Sequence, residues 1–261
     1  MISIITPTYN TDPEVLARTW ASLKAQTFTD WEWVIWDDST NSQTWSQLYG
    51  FCSDERYKIS MHRSHVHSGN IGRLKRQGFM VAEGNILVEL DHDDELTPDC
   101  LQEIHDAFQD ESVGFVYSDW CELLPNGQSG VYPMGWAFGF GSEYWSEEYG
   151  VSVMSAPEIN TKTIRHIVSA PNHVRAWRAD AYRSLNGHSF NYPVADDYEL
   201  IVRTFLTTKM FHIPKLLYKQ HIGPSTAQRV RNEQIQIFVA DIAQLYRDEI
   251  TARFKQLDTI N

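Results

Sequence analysis

The chain has 261 residues and 42% hydrophobic content, enough for one large α/β domain or two small ones with the composition of an ordinary soluble globular protein. Its formal net charge of −12 excludes a nucleic-acid surface of clustered Lys and Arg, because neutralising phosphates requires cations that acids do not offset. Cys52, Cys100 and Cys121 are odd in number, far apart and outside any Cys-x-x-Cys pattern, which argues against a disulfide framework or a zinc site and for a reducing compartment. No apolar run approaches the roughly 18–20 residues that span a bilayer, and no signal peptide precedes the first strand at Ile2, so a cytoplasmic location is expected, with room for a peripheral membrane contact.

Ile2–Ile5 is a β-rich run expected to stop at a polar loop, Thr6-Pro7-Thr8-Tyr9-Asn10. Asp12-Pro13-Glu14 supplies an N-cap, a proline at the first helical position and an early acid, and Leu16, Trp20 and Leu23 follow at helical spacing. Trp33–Trp36 is the second strand, ending in Asp37-Asp38-Ser39, and Tyr57–Met61 the third. His62, His65 and His67 lack the partners of a metal motif and read as loop residues. A helix over Asn70–Ala82 carries Arg73, Lys75 and Arg76, either as a solvated face or as partners of acids or phosphate.

Ile86–Leu90 is a short apolar run that ends in Asp91, Asp93 and Asp94. Such a run reads as a buried parallel strand, and acids at its carboxyl end face the crevice where α/β sheets bind ligands. They are either hard oxygen ligands for Mg²⁺ or Mn²⁺ or a solvated turn into the next helix, Pro98–Phe108, for which Thr97 is the expected N-cap. Val113–Ser118 completes an alternation of strands and helices, the signature of an α/β layer. No Gly-x-Gly-x-x-Gly follows the first strand and no P-loop occurs, which removes the usual supports for dinucleotide and P-loop chemistry.

Asn126-Gly127 is a hairpin signal, and the stretch to about Asn160 is rich in glycine and aromatics, among them Trp136, Phe138, Phe140, Tyr144, Trp145 and Tyr149. These rings either pack sugar rings or fill a second small core. Asn172–Arg178 returns to β character, and Asp196-Asp197-Tyr198-Glu199 opens a helix in which one acid can cap and the other project. Phe211–Ile222 is strand-like, and one final amphipathic helix carries Ile235, Phe238, Val239, Ile242, Leu245, Tyr246 and Ile250.

Taken in order, Thr6-Pro7-Thr8-Tyr9-Asn10, Asp37-Asp38-Ser39, Asn70-Ile71-Gly72, Leu90-Asp91-His92-Asp93-Asp94 and Asp196-Asp197-Tyr198-Glu199-Leu200 resemble the motifs of family 2 glycosyltransferases with the GT-A fold. The resemblance implies a Rossmann-like, mostly parallel sheet flanked by helices. It implies one catalytic domain over residues 1–222, with a nucleotide-sugar part to residue 120 and an acceptor part from 121, and a helical extension over 223–261. It further implies an inverting transferase that uses a nucleotide-diphosphate sugar, a glycan or lipid-linked acceptor, and Mn²⁺ or Mg²⁺. On the same basis Pro7, Thr8, Tyr9, Asp38 and Asn70 contact the nucleotide, with UDP expected from Asp38. Asp91, Asp93 and the late His221 hold the metal, and Asp197 is the base. Two departures stand out: Asp196 replaces the usual Glu before the base, and Arg73-Leu74-Lys75-Arg76 replaces the commoner Ala-Arg-Asn, which leaves open which cation meets the acids. The competing readings are a non-catalytic nucleotide-sugar or glycan-binding protein and a metal-dependent phosphoryl-transfer domain. Intact Asp91, Asp93 and Asp197 oppose the first, and the lack of a basic groove the second.

Overall fold

The computed structural model describes residues 1–52, 56–223 and 230–259. Strand β1 (Ile2–Thr8) leads through helix α1 (Pro13–Lys24) to β2 (Trp31–Asp37), and α2 (Ser42–Cys52) leads to β3 (Lys58–Arg63). Helix α3 (Ile71–Val81) then precedes β4 (Ile86–Glu89), and the pairing β3-β2-β1-β4 is parallel throughout. Asp12 caps α1 as expected, its carboxylate accepting the Glu14 N–H at 2.8 Å.

The second half of the sheet is mixed where a mostly parallel one was expected. The two-residue β5 (Glu95–Leu96), α4 (Cys100–Ala107) and β6 (Val113–Leu123) are followed by the hairpin of β7 (Ser142–Ser146) and β8 (Val151–Ser155) and by β9 (Arg175–Arg178). Strand β9 inserts antiparallel between β4 and β6, and β10 (Lys209–His221) runs parallel to β6 with β5 on its far side, giving the order β3-β2-β1-β4-β9-β6-β10-β5. Between β9 and β10 lie α5 (Ala179–Ser184) and α6 (Asp196–Thr207).

Three expectations about elements are corrected. Thr6, Pro7 and Thr8 continue β1, paired with Ile35, Trp36 and Asp37. Proline is tolerated there because the side of β1 that would need its N–H faces β4, whose pairing with β1 ends at Glu89 opposite Ile5. Asp99, not Thr97, stands at the start of α4; the Thr97 hydroxyl donates to the Asp99 carboxylate at 2.8 Å instead of capping the helix. The single last helix is two, α7 (Asn232–Leu245) and α8 (Arg247–Asp258), meeting at Tyr246. They pack on α6 through the Phe205–Phe254 ring contact and the Tyr246 hydroxyl, which donates to Glu199 at 2.7 Å.

The aromatic stretch is divided between packed and exposed rings. Trp136 packs edge-on against buried Trp120, whereas Phe138, Phe140 and Trp145 stay largely exposed. Cys100 and Cys121 are buried thiols without a bridge, and the side chain of Cys52 lies outside the described residues.

Candidate active site

Glu89, the last residue of β4, is buried in the sheet at 1% exposure. A carboxylate there requires compensating cations, and the fold supplies two. Antiparallel register sets Arg175 of β9 directly opposite, with Nη1 3.3 Å from Glu89 Oε1. Lys75 reaches in from α3, its ammonium donating to the same oxygen at 2.6 Å. Burial disfavours the Glu89 charge, yet Arg175 and Lys75 outweigh it and hold the carboxyl well below its ordinary range.

Both cations also reach a predicted site acid. The Lys75 ammonium lies 3.7 Å from Asp91, and Arg175 Nη1 lies 2.5 Å from Asp197 Oδ2. The chain Asp91–Lys75–Glu89–Arg175–Asp197 therefore joins the acidic loop after β4 to the first turn of α6. Lys75 is the cation that meets the acids; Arg76 instead lies over the Phe190 ring at 4.6 Å, and Arg73 lines a surface groove.

The adjacent acids of α6 sit in unlike surroundings. Asp196 is buried beside His188, 3.8 Å from its Nε2, and burial pushes its carboxyl up to about 8, with Lys75 opposing and Asp197 adding to the rise. Asp197 keeps 24% of its side-chain exposure, and although burial works against its charge, Arg175 and Lys75 hold it below its ordinary value. Its second oxygen accepts the Tyr198 N–H at 2.8 Å. One site thus pairs a carboxylic acid kept neutral with a carboxylate kept ionised.

In the loop after β4, Asp94 accepts the Tyr218 hydroxyl and the His221 N–H, each at 2.7 Å. Burial and the nearby Asp93 and Asp91 charges nevertheless push it well above its usual range, and burial also raises Asp91 against the pull of Lys75. One ligand atom each from Asp91, Asp94 and His173 lies within 4.8 Å of the others. His173 is stacked on Tyr218 with centroids 4.1 Å apart, and burial with Arg175 holds its ring well below its ordinary value, hence neutral. The ring of His221 is turned elsewhere, its Nε2 2.6 Å from Glu95.

At the carboxyl ends of β1 and β2, the Thr8 hydroxyl donates to Asp37 at 3.0 Å. Buried Asp38 accepts the Ser68 N–H at 3.0 Å and lies 2.8 Å from His67 Nδ1. Half-exposed Tyr9 stacks on the His67 ring at 4.5 Å, beside a cavity of about 440 Å³ lined by Ser39, Thr40, Arg63, Ser64, His65 and His67. Pro7 is buried within β1. Asn70 is the N-cap of α3, accepting the Arg73 N–H at 2.9 Å and donating to Phe190 O at 3.2 Å. Gly72 permits that packing, since a Cβ there would stand 2.7 Å from the Asp196 Cβ.

Sequence reasoning did not single out Glu89, Arg175, His173 or His188. A Glu within the apolar run Ile-Leu-Val-Glu-Leu was the available signal, since burying it demands a cationic partner.

Comparison with known proteins places this geometry in a family. The chain is 30% identical over 102 residues to the succinoglycan biosynthesis protein ExoW of Rhizobium meliloti, an alignment covering 38% of this chain and 31% of that protein. It spans about a third or less of the length of such curated relatives, with 23% and 9% for two others matched over 237 and 120 residues. Among solved structures, TarS 1–349 of S. aureus in complex with UDP superposes with a TM-score of 0.64 at 18% identity, covering 90% of this chain and 64% of that one. The mannosyltransferase PcManGT of Pyrobaculum calidifontis, in complex with GDP-Man and Mn²⁺, gives 0.67 at 14% identity, covering 100% and 75%. The family model for glycosyl transferase family 2 matches residues 3–138, more than half of the chain, and with the observed α/β architecture it identifies the chain as a member of that family with the GT-A fold.

Proposed function

We propose that this chain transfers a sugar from a UDP-sugar to a hydroxyl of a glycan or lipid-linked acceptor, in a single inverting displacement assisted by a divalent cation. The observation that carries this reading is the charge chain from Asp91 to Asp197, which holds a carboxylate kept ionised in fixed relation to the acidic loop. In this reading residues 1–120 bind the donor, 121–222 form the acceptor side, and the final helices brace α6. Tyr9 offers its ring to the base, and Pro7 and Thr8 shape the floor of that pocket. Asp38 accepts the uracil N–H, with Ser68 and His67 fixing its orientation. Asn70 acts through the start of α3, which it caps.

The acidic loop suits a hard cation. Asp91 and Asp94 carry carboxyls raised by burial and crowding, which a cation relieves, and neutral His173 has a ring nitrogen beside them. Asp91, Asp93 and Asp94 would hold Mn²⁺ or Mg²⁺ with His173, or with His221 once its ring leaves Glu95. Bound there, such an ion would supply positive charge to offset the negative charge of the departing diphosphate. Asp197 takes the proton of the acceptor hydroxyl as that oxygen attacks the anomeric carbon, and its remaining exposure gives the hydroxyl access.

The test is a screen of UDP-, GDP- and dTDP-sugars, with and without Mn²⁺, for hydrolysis and for thermal stabilisation of the chain. Metal-dependent turnover and stabilisation by a UDP-sugar are expected. Stabilisation without turnover would favour a binding protein, and a preference for GDP-sugars would overturn the uridine assignment.

A further inference from the structure

We propose that Arg175 is a positioning residue for the transfer step, clamping the Asp197 carboxylate against Glu89 so that the base stays turned to the cleft. This rests on the reading of Asp197 as the base.

Arg175 is placed by the sheet and not by a loop, since its register partner in β4 is Glu89. Its guanidinium, 4% exposed, spans two carboxylates on different elements, with Nη1 2.5 Å from Asp197 Oδ2 on α6 and 3.3 Å from Glu89 Oε1 on β4. Nη1 carries two N–H groups and stands within ion-pair reach of both acids, while Nη2 lies 3.4 Å from the ring nitrogens of His173. The Tyr198 N–H holds the other Asp197 oxygen, so the carboxylate is gripped at both ends and its rotamer is fixed. Each oxygen retains a lone pair, and the side chain keeps about a quarter of its exposure, which leaves an acceptor hydroxyl room to approach.

The groups around Asp197 have opposing effects. Burial and Glu89 from β4 disfavour its charge; Arg175 from β9 and Lys75 from α3 favour it and prevail, and Asp197 in turn helps to raise neighbouring Asp196. His173 and His188, both depressed by burial, stand by as neutral rings. In the transfer, the acceptor oxygen forms its bond to the anomeric carbon as the carbon–diphosphate bond breaks. The hydroxyl proton passes to Asp197, and the bonding pair leaves with the diphosphate. Arg175 then keeps Glu89 as its partner while Asp197 is neutral, so the site need not rearrange.

The experiment compares Arg175→Gln and Arg175→Lys with the unmodified chain, using hydrolysis of the UDP-sugar it turns over fastest, followed against pH. Losing the cation raises the Asp197 carboxyl, and each unit of rise removes about tenfold of the ionised base on the acid side. Arg175→Gln should therefore move the acid limb of kcat to higher pH by about one unit or more, recover the unmodified rate above that limb, and leave the donor KM within about threefold. Arg175→Lys should keep the acid limb close to that of the unmodified chain. An unmoved limb in Arg175→Gln, or an equal shift in Arg175→Lys, overturns the assignment. Carboxyl NMR of Asp197 in the unmodified protein gives a reading that needs no variant to fold: a midpoint below the ordinary aspartate value is expected, and one at or above it overturns the assignment. Asp197→Asn on the same probe separates the two readings. Full activity there removes the base itself, whereas an inactive Asp197→Asn beside an Arg175→Gln of unmodified profile removes only Arg175.

Discussion

Gly72 and Asp196 are in backbone-to-side-chain contact across the site: a Cβ at residue 72 would stand 2.7 Å from the Asp196 Cβ and 2.9 Å from the Ser189 carbonyl oxygen. The glycine of Asn70-Ile71-Gly72 thus lets α3 close on the start of α6. Gly72→Ala should cost about 1–3 kcal/mol by overpacking, a loss of several degrees in Tm, and should lower turnover more than donor affinity because α6 carries Asp197. Thermal melts and donor titrations check this; an unchanged Tm and rate would mean that the contact relaxes at no cost.

Lys75 compensates Glu89 and Asp91 from a position that is 4% exposed. Replacing it by Met leaves buried carboxylates short of a cation, and breaking a buried pair from one side typically costs about 3–5 kcal/mol. Urea unfolding of Lys75→Met, Glu89→Gln and the double variant should show a double-variant loss well below the sum of the single losses. Strict additivity would refute the pairing.

How far the sequence could disclose this site follows from where the partners lie along the chain. The acids at the carboxyl ends of β2 and β4 were legible because an apolar run ending in carboxylates is a local pattern. Arg175 was not, because the pairing that sets it opposite Glu89 joins strands 86 residues apart and no local spacing encodes it. Lys75 is an intermediate case. It stands three residues from Gly72 and from Gly78 and four from Phe79, all on the buried face of α3, so helical periodicity separates it from exposed Arg73 and half-buried Arg76. The antiparallel insertion of β9 escaped notice for the same reason as Arg175: a four-residue strand carries too little periodicity to state its direction.

Asp196 gives stability a definite pH dependence. Its folded-state value, about 8, lies above the ordinary 3.8, so between these values the folded chain binds the proton that the unfolded chain has released. Stability from this group is full below the lower value and is lost as pH rises through the upper one, with a slope of at most about 1.4 kcal/mol per pH unit. Glu89 and Asp197, both lowered, act in the opposite sense and only in the acid range. Asp196→Asn, which retains the shape of the neutral acid, should flatten the fall in Tm between pH 5 and pH 8 (roughly the window set by these values) when measured in chelator. An unaltered slope would place the titration elsewhere.

The acidic loop gives a test of which histidine joins the cation. Asp91→Asn and Asp93→Ala should weaken Mn²⁺-dependent UDP binding by about tenfold or more, since loss of a ligand removes both charge and a coordinating oxygen. Isothermal calorimetry on His173→Ala and His221→Ala then decides the nitrogen donor. The geometry of Asp91, Asp94 and His173 predicts the larger loss for His173, and a larger loss for His221 would require its ring to leave Glu95 when the ion binds.

Asp197→Asn separates turnover from binding. The amide keeps the size of the carboxylate and can still accept the Tyr198 N–H, so the first turn of α6 should persist. It cannot take the acceptor proton, and general-base assistance typically contributes about 10²- to 10⁴-fold, so kcat should fall within that range. Nucleotide affinity should change by less than about threefold, because the acids of the loop after β4 and the pocket around Asp38 are untouched. The variant also leaves Arg175 with Glu89 as its one carboxylate partner, so a modest loss of stability is expected, unlike the near-neutral change of an exposed helix end. Transfer rate, UDP affinity and Tm measured on this one variant therefore distinguish the roles. A slow rate with normal affinity assigns Asp197 to the proton. A normal rate with lowered Tm would instead make it only the anchor that holds Arg175 to α6.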